Sequence, residues 1–366
     1  MLSPLSRRQA LKTMAALTGG AVLGSSLARP ARAEKIDPKV AKAVDIGLKW
    51  LANAQSKLGH WNNANNAGGN YPTSMTALCG TALTCAGSTT TQGPYSKHIR
   101  RAVDYLMGKS RTNGLIGDPL QDNRYTYGHG FSMLFLSQVL GEEEDEDRRK
   151  ELVDVLTRAV EFCSRAQTAA GGWGYVSAKD GNDFDEGSTT ITQVQGLRGC
   201  RNAGITVPGE IIQKAKDYIY GCKNPDGGIS YSSKNKGTSR PAITAAALAA
   251  LYNAGDYDSK QVPEMLAYCK KHLIKVGGEV EAFGHWHYTH LYFAQVMYRE
   301  GAKPEGRKEW EEYRAKLYDK ILREQKTNAG DSSYGSWDGN IGPVYVTANN
   351  LTMLQLELAY LPIYQR

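Results

Sequence analysis

The chain has 366 residues, 41% of them apolar and 22% charged, which suits a globular protein with a sizeable core and excludes a disordered or fibrous one. The formal charge of +7 is concentrated at the start, where residues 1–33 hold Arg7, Arg8, Lys12, Arg29 and Arg32 and no acid; the rest has 39 basic against 37 acidic groups. A body so close to neutral gives no electrostatic ground for binding nucleic acid.

In chain order, the first element is a targeting segment. Arg7-Arg8 and Lys12 precede an apolar stretch from Met14 to Leu27, and Ala31-Arg32-Ala33 supplies the small residues of a cleavage site. Residues 1–33 therefore read as a signal peptide of the twin-arginine type, with export to the periplasm or cell envelope as the expected outcome. Residues 34–366 are expected to form one domain, and no later stretch is long and apolar enough to span a membrane.

The remainder is periodic. Trp61, Ile116, Trp173, Ile229, Trp286 and Trp337 stand in glycine-rich turns at steps of 55, 57, 56, 57 and 51 residues, six copies of one unit. Each copy has an amphipathic helix before the turn: Val44 to Gln55, His98 to Met107, Lys150 to Gln167, Pro208 to Tyr220, Val262 to Ile274 and Arg307 to Gln325. After the turn comes a helix poor in charge: Thr73 to Ala86, Gly128 to Leu140, Thr189 to Ala203, Ala242 to Ala254, Tyr288 to Tyr298 and Thr347 to Tyr360. Gly87, Gly141, Gly204, Gly255 and Gly301 are expected to end five of these in a left-handed cap. A helix that is apolar nearly all round must be buried, and one with a charged face must cover it. Six of each, alternating, imply an inner and an outer ring: an all-α, (α/α)6 toroid of six helical hairpins. The rival is an open solenoid, which needs atypical terminal repeats, and the first and last copies here are as apolar as the others. The six cysteines lie in separate stretches without a C-x-x-C pair, so most read as small buried hydrophobes.

Two turns read Q-x3-G-x-W: Gln55 to Trp61 and Gln167 to Trp173; Gln325 to Trp337 is a looser copy. This resembles the QW repeat of squalene and oxidosqualene cyclases, shared in weaker form with protein prenyltransferase β subunits. The chain thus resembles stand-alone bacterial prenyltransferase/squalene-oxidase-repeat proteins. The resemblance implies a site in the central cavity, at the N-terminal ends of the inner helices. It also draws attention to Asp183-Phe184-Asp185-Glu186, which resembles the D-x-D-D acid with which such cyclases protonate an alkene. Clustered carboxylates raise one another's pKa, so Asp183, Asp185 and Glu186 are the candidate catalytic acids. The zinc triad of protein prenyltransferases is not carried over, since its positions fall on Gly187, Thr189 and Tyr288.

Further candidates stand at other inner-helix starts. Tyr127 and His129 lie among Gly128 and Gly130, glycines that suggest close approach by a ligand or a neighbouring backbone. Arg240, His287, His290 and Tyr345 complete the expected substrate-binding set. No cofactor is required by these residues, though a divalent metal at His287 and His290 with Asp183 or Asp185 could form a mixed nitrogen and oxygen site. The leading function is binding or transformation of an isoprenoid-type lipid; a polysaccharide-active toroid or a non-catalytic scaffold are the alternatives. Nothing in the sequence bears on oligomeric state.

Overall fold

A computed structural model describes residues 36–63, 70–181, 183–277, 285–358 and 360–364; the targeting segment expected at 1–33 lies outside them. Among the described residues are α1 (Pro38–Asn53), α2 (Pro72–Cys85), α3 (Ser96–Gly108), α4 (Tyr125–Glu142), α5 (Glu146–Ala166) and α6 (Gly187–Asn202). They continue with α7 (Gly209–Gly221), α8 (Pro241–Asn253), α9 (Gln261–Leu273), α10 (Trp286–Glu300), α11 (Arg307–Glu324) and α12 (Pro343–Leu354).

The even-numbered helices form the inner ring. Each packs on the next, and α12 packs back on α2, while α1 also meets α11 and α12. The ring is closed: the architecture is an (α/α)6 toroid. Every residue of α2 is buried, whereas α3 buries only Ile99, Ala102, Val103 and Leu106, one stripe at helical spacing. Many inner-ring residues are Thr, and their hydroxyls donate to carbonyls one turn back, as Thr76 does to Pro72 and Thr81 to Ala77. This lets polar but small side chains line tightly packed helices. Proline opens α2, α8 and α12, where a missing N–H leaves nothing unsatisfied.

The turns repeat one set of bonds. Gln55 Nε2 donates to Gly59 O at 2.8 Å and to His98 O, in the next outer helix, at 2.9 Å. Gln167 does the same to Gly171 and Ile211, and Gln325 to Gly335 and Ala43. The last of these joins α11 to α1 and so ties the two ends of the ring. The indole N–H groups of Trp61, Trp173 and Trp337 donate to carbonyls of the preceding outer helix, at Leu51, Cys163 and Ile321. Between Gln and Trp, the glycine must be glycine. Gly59, Gly114, Gly171, Gly227 and Gly335 all have φ between 86° and 97°, and a Cβ there would lie 2.1–2.6 Å from a carbonyl oxygen of the next outer helix.

Two caps differ from expectation. Gly87, Gly204 and Gly255 do adopt positive φ, but Gly141 is still helical and Gly301 stays right-handed. At the first, Glu143 ends α4 in an extended conformation while its carboxylate accepts from Thr90 Oγ1. At the second, Trp310 lies against Gly301 and leaves no room for a Cβ. All six cysteines are buried and free.

Candidate functional site

A narrow cavity lies among the inner helices, with Leu78, Phe131, Leu134 and Leu291 as apolar wall and Gln195 and Tyr292 as polar wall. Gln195 Nε2 donates to Gln295 Oε1 across the ring at 2.6 Å. The 3₁₀ turn Pro362–Tyr364 packs on α6, and the Tyr364 ring closes one side of the cavity. The Tyr292 hydroxyl is buried without a hydrogen-bond partner among the described residues.

One turn toward the N-terminal ends lies a tier of tyrosines. Tyr127 stacks 6.5 Å from Phe131 and Tyr288 meets Tyr292 at 4.9 Å, so this tier sits on the cavity. Tyr175 and Tyr231, both two residues after their repeat's turn position, bond hydroxyl to hydroxyl. Their carbonyls accept from Thr126 N and Gly187 N, which fixes each loop on the first turn of the preceding inner helix.

Glu186 stands among these rings. It is the N-cap of α6, with Oε2 accepting from Thr189 N at 3.0 Å and from Ser188 Oγ at 2.5 Å. The Tyr127 hydroxyl bonds to Ser188 Oγ, and since Ser188 donates to Glu186 the Tyr127 proton points at Ser188. Glu186 is fully buried, and burial lifts its carboxyl above the ordinary glutamate range against the pull of these hydrogen bonds. After burial itself, the Glu186 charge is what most raises the phenols of Tyr127, Tyr175 and Tyr231, and it acts on Tyr288 as well. Four phenols therefore lie within the electrostatic reach of one carboxyl.

The other two acids of the cluster are occupied elsewhere. Asp185 accepts from Ser233 N at 2.7 Å and Ser233 Oγ at 2.5 Å, anchoring the loop before α8. Asp183, with φ of 50°, accepts from Ala169 N at 2.9 Å and pairs with Lys234; the first of these bonds most lowers its pKa. The structure thus brings Glu186 alone of the three to the tyrosine tier.

Of the expected binding residues, Tyr127, Arg240 and Tyr345 belong to the tier. Tyr345 acts electrostatically on Tyr288 and Tyr292, and Arg240 lies 4.5 Å over the Tyr231 ring. His129 does not. It is fully buried, with Nδ1 accepting from Ile116 N and Nε2 donating to Ala159 O, both at 3.1 Å. Its place is that of Thr76, Thr190, Thr244 and Thr347, whose hydroxyls accept the turn N–H in the other repeats. His290 occupies the corresponding place in α10 and turns its Nδ1 to Tyr313 of the outer ring at 2.8 Å. His287 is half-buried, edge-on to Trp286 and close to Gly339. Among the described residues no three His, Cys, Asp or Glu side chains gather as a metal set, so His287, His290, Asp183 and Asp185 do not converge. The approach at Gly128 and Gly130 is made by protein: a Cβ would meet Thr73 at the first and Gln193 at the second.

Arg124, Tyr175, Tyr231 and Ser188 were not expected from sequence. Arg124 is the N-cap of α4 and lies 4.3 Å over the Tyr175 ring. In the register set by His129, Thr190 and Thr244, Arg124 falls one residue before the place of Glu186 and Arg240, so the repeat alone does not single it out.

No family model and no curated protein matches the chain. Solved structures do. The type II terpene cyclase MstE from Scytonema superposes with a TM-score of 0.58 at 14% identity, covering 89% of this chain and 98% of that one. The α-1,6-mannanase GH76A of Salegentibacter sp. HEL1_6 gives 0.61 at 10% identity, covering 88% and 99%. An α-amylase from Clostridium perfringens gives 0.57 at 11% identity, over 86% and 97%. At these identities the likeness is one of fold, and it is shared by lipid-cyclising and sugar-cleaving proteins alike.

Proposed function

We propose that this chain is an exported toroid, sent by the twin-arginine route, that transforms an isoprenoid-type lipid with Glu186 as the proton donor. The observation that carries the proposal is one fully buried carboxyl, hydrogen-bonded through Ser188 to Tyr127 and acting on the phenols of Tyr175, Tyr231 and Tyr288. Protonating a carbon–carbon double bond needs a carboxylic acid kept neutral away from water. The proton adds to one alkene carbon, the cation develops on the other, and tyrosine faces stabilise it until a proton is lost or water is added. The hydrogen-bonded path from Tyr127 through Ser188 would return a proton to Glu186. MstE, which has this fold, has been captured with geranylgeranyl dihydroxybenzoate as its substrate.

Hydrolysis of a polysaccharide by paired carboxylates has less support, because Asp183 and Asp185 are committed to loop bonds and leave Glu186 without an acidic partner in the tier. Incubating the mature protein with C15 to C30 isoprenoids and analysing products by mass spectrometry tests the reading. Cyclised isomers, or cyclised products heavier by one water, are expected from the native chain and a loss of at least a hundredfold from Glu186→Gln. Equal product from both proteins would reject Glu186 as the acid.

A further inference from the structure

Among the described residues, Arg124 and Arg240 are the arginines set over an aromatic ring. Arg148, Arg158 and Arg323 each meet an aspartate. Arg124 and Arg240 are exposed, and among the described residues neither forms an ion pair or donates a side-chain hydrogen bond; each places its guanidinium carbon over a tyrosine ring, 4.3 Å and 4.5 Å from its centre. Those rings, Tyr175 and Tyr231, are bonded to each other through their hydroxyls. The order is guanidinium, ring, ring, guanidinium, with both guanidinium groups at the surface and both rings part of the tier that holds Glu186. Both cations lower the phenol pKa of Tyr175, so both act on one spot.

Stacking uses the face of a guanidinium and leaves its in-plane N–H donors unspent. Two such groups, held at a fixed spacing by a rigid phenol pair, offer a fork to an oxyanion. Glu186, fully buried beneath these rings, would face the remainder of a molecule so held. We propose that Arg124 and Arg240 clamp an oxyanion head group, a carboxylate or a diphosphate, of the substrate whose tail reaches Glu186. For the identity of the tail, this rests on the isoprenoid reading above.

Binding to the mature protein is measured by calorimetry for geranylgeranyl diphosphate, geranylgeranoic acid, geranylgeraniol and inorganic pyrophosphate. The two anionic lipids should bind at least tenfold more tightly than the alcohol, with a marked loss at high salt. Arg124→Gln with Arg240→Gln should remove that advantage and leave the alcohol's affinity unchanged. Whichever anionic lipid binds more tightly identifies the head group as carboxylate or diphosphate. Arg124→Lys with Arg240→Lys, which keeps the charge but loses the fork, should retain only part of the advantage and serves if the glutamine protein misfolds. The clamp is overturned if the alcohol binds as well as the anions, or if the advantage survives the glutamine substitutions. If no lipid binds while pyrophosphate binds the native protein and not the variant, the clamp stands and the isoprenoid reading fails.

Discussion

His129, His287 and His290 lie in surroundings that keep them neutral, with burial the main cause and pKa values pushed down to about 4, 4 and 3 from 6.5. A histidine whose folded pKa is depressed gives stability that is complete above 6.5 and lost as the pH falls toward 4. For His129 the loss amounts to at most about 3 kcal/mol. Urea midpoints should therefore be flat above pH 7 and fall steadily below 6.5. Because Thr fills the same place in four other repeats, His129→Thr keeps an acceptor for Ile116 N and should remove about one proton's worth of that slope. An unchanged slope would show that His129 is not the buried neutral group described. Sequence reading picked out all three histidines but misplaced the first and third, because the side of an inner helix they occupy is set by packing. Glu186 and Tyr127 were legible from their position before or within the first turn of an inner helix. Arg124 and the tyrosine pair were not, since loop conformation brings them together.

At the level of the hairpin, the Gln, Gly and Trp of each turn are three parts of one joint. Gly171→Ala would demand a left-handed alanine and push its Cβ to within 2.3 Å of Lys214 O, so α5 and α7 must separate. A loss of more than about 2 kcal/mol is expected by chemical denaturation, against about 1–3 kcal/mol for Gln325→Ala, which removes two hydrogen bonds and leaves Gly335 O without its donor. A Gly171→Ala protein as stable as the native one would show that the joint is not rigid. The same joint explains why the fold could be read from sequence. Its spacing is nearly constant because each copy must span one hairpin, and the alternation of charged and uncharged helices follows from which ring faces water. Cap geometry at Gly141 and Gly301 escaped the reading because Glu143 and Trp310, tertiary partners, decide it.

Across the whole molecule, closure sets the mode of unfolding. In a linear repeat array, removing a terminal unit leaves a shorter folded protein. Here, deleting residues from Arg307 onward would strip α11 and α12 and uncover α2 and α10 together. The expected result is loss of the folded state, seen as a collapse of the circular dichroism signal and of the soluble yield. A shorter protein with a cooperative melt would argue that the ring is only loosely joined.

The bond from Gln325 to Ala43 spans 282 residues, and a second seam bond, from Gln355 to Ala82, spans 273. Neither can form until nearly the whole chain has left the ribosome, so the first hairpin must wait, its inner helix uncovered, for the last one to be made. Folding of this ring is a late event with contacts of very long range, slow by the usual relation between topology and rate. During that interval the chain is exposed to aggregation and, on the export proposed above, to premature secretion. A leader that delays departure until the ring has shut would spare it from both.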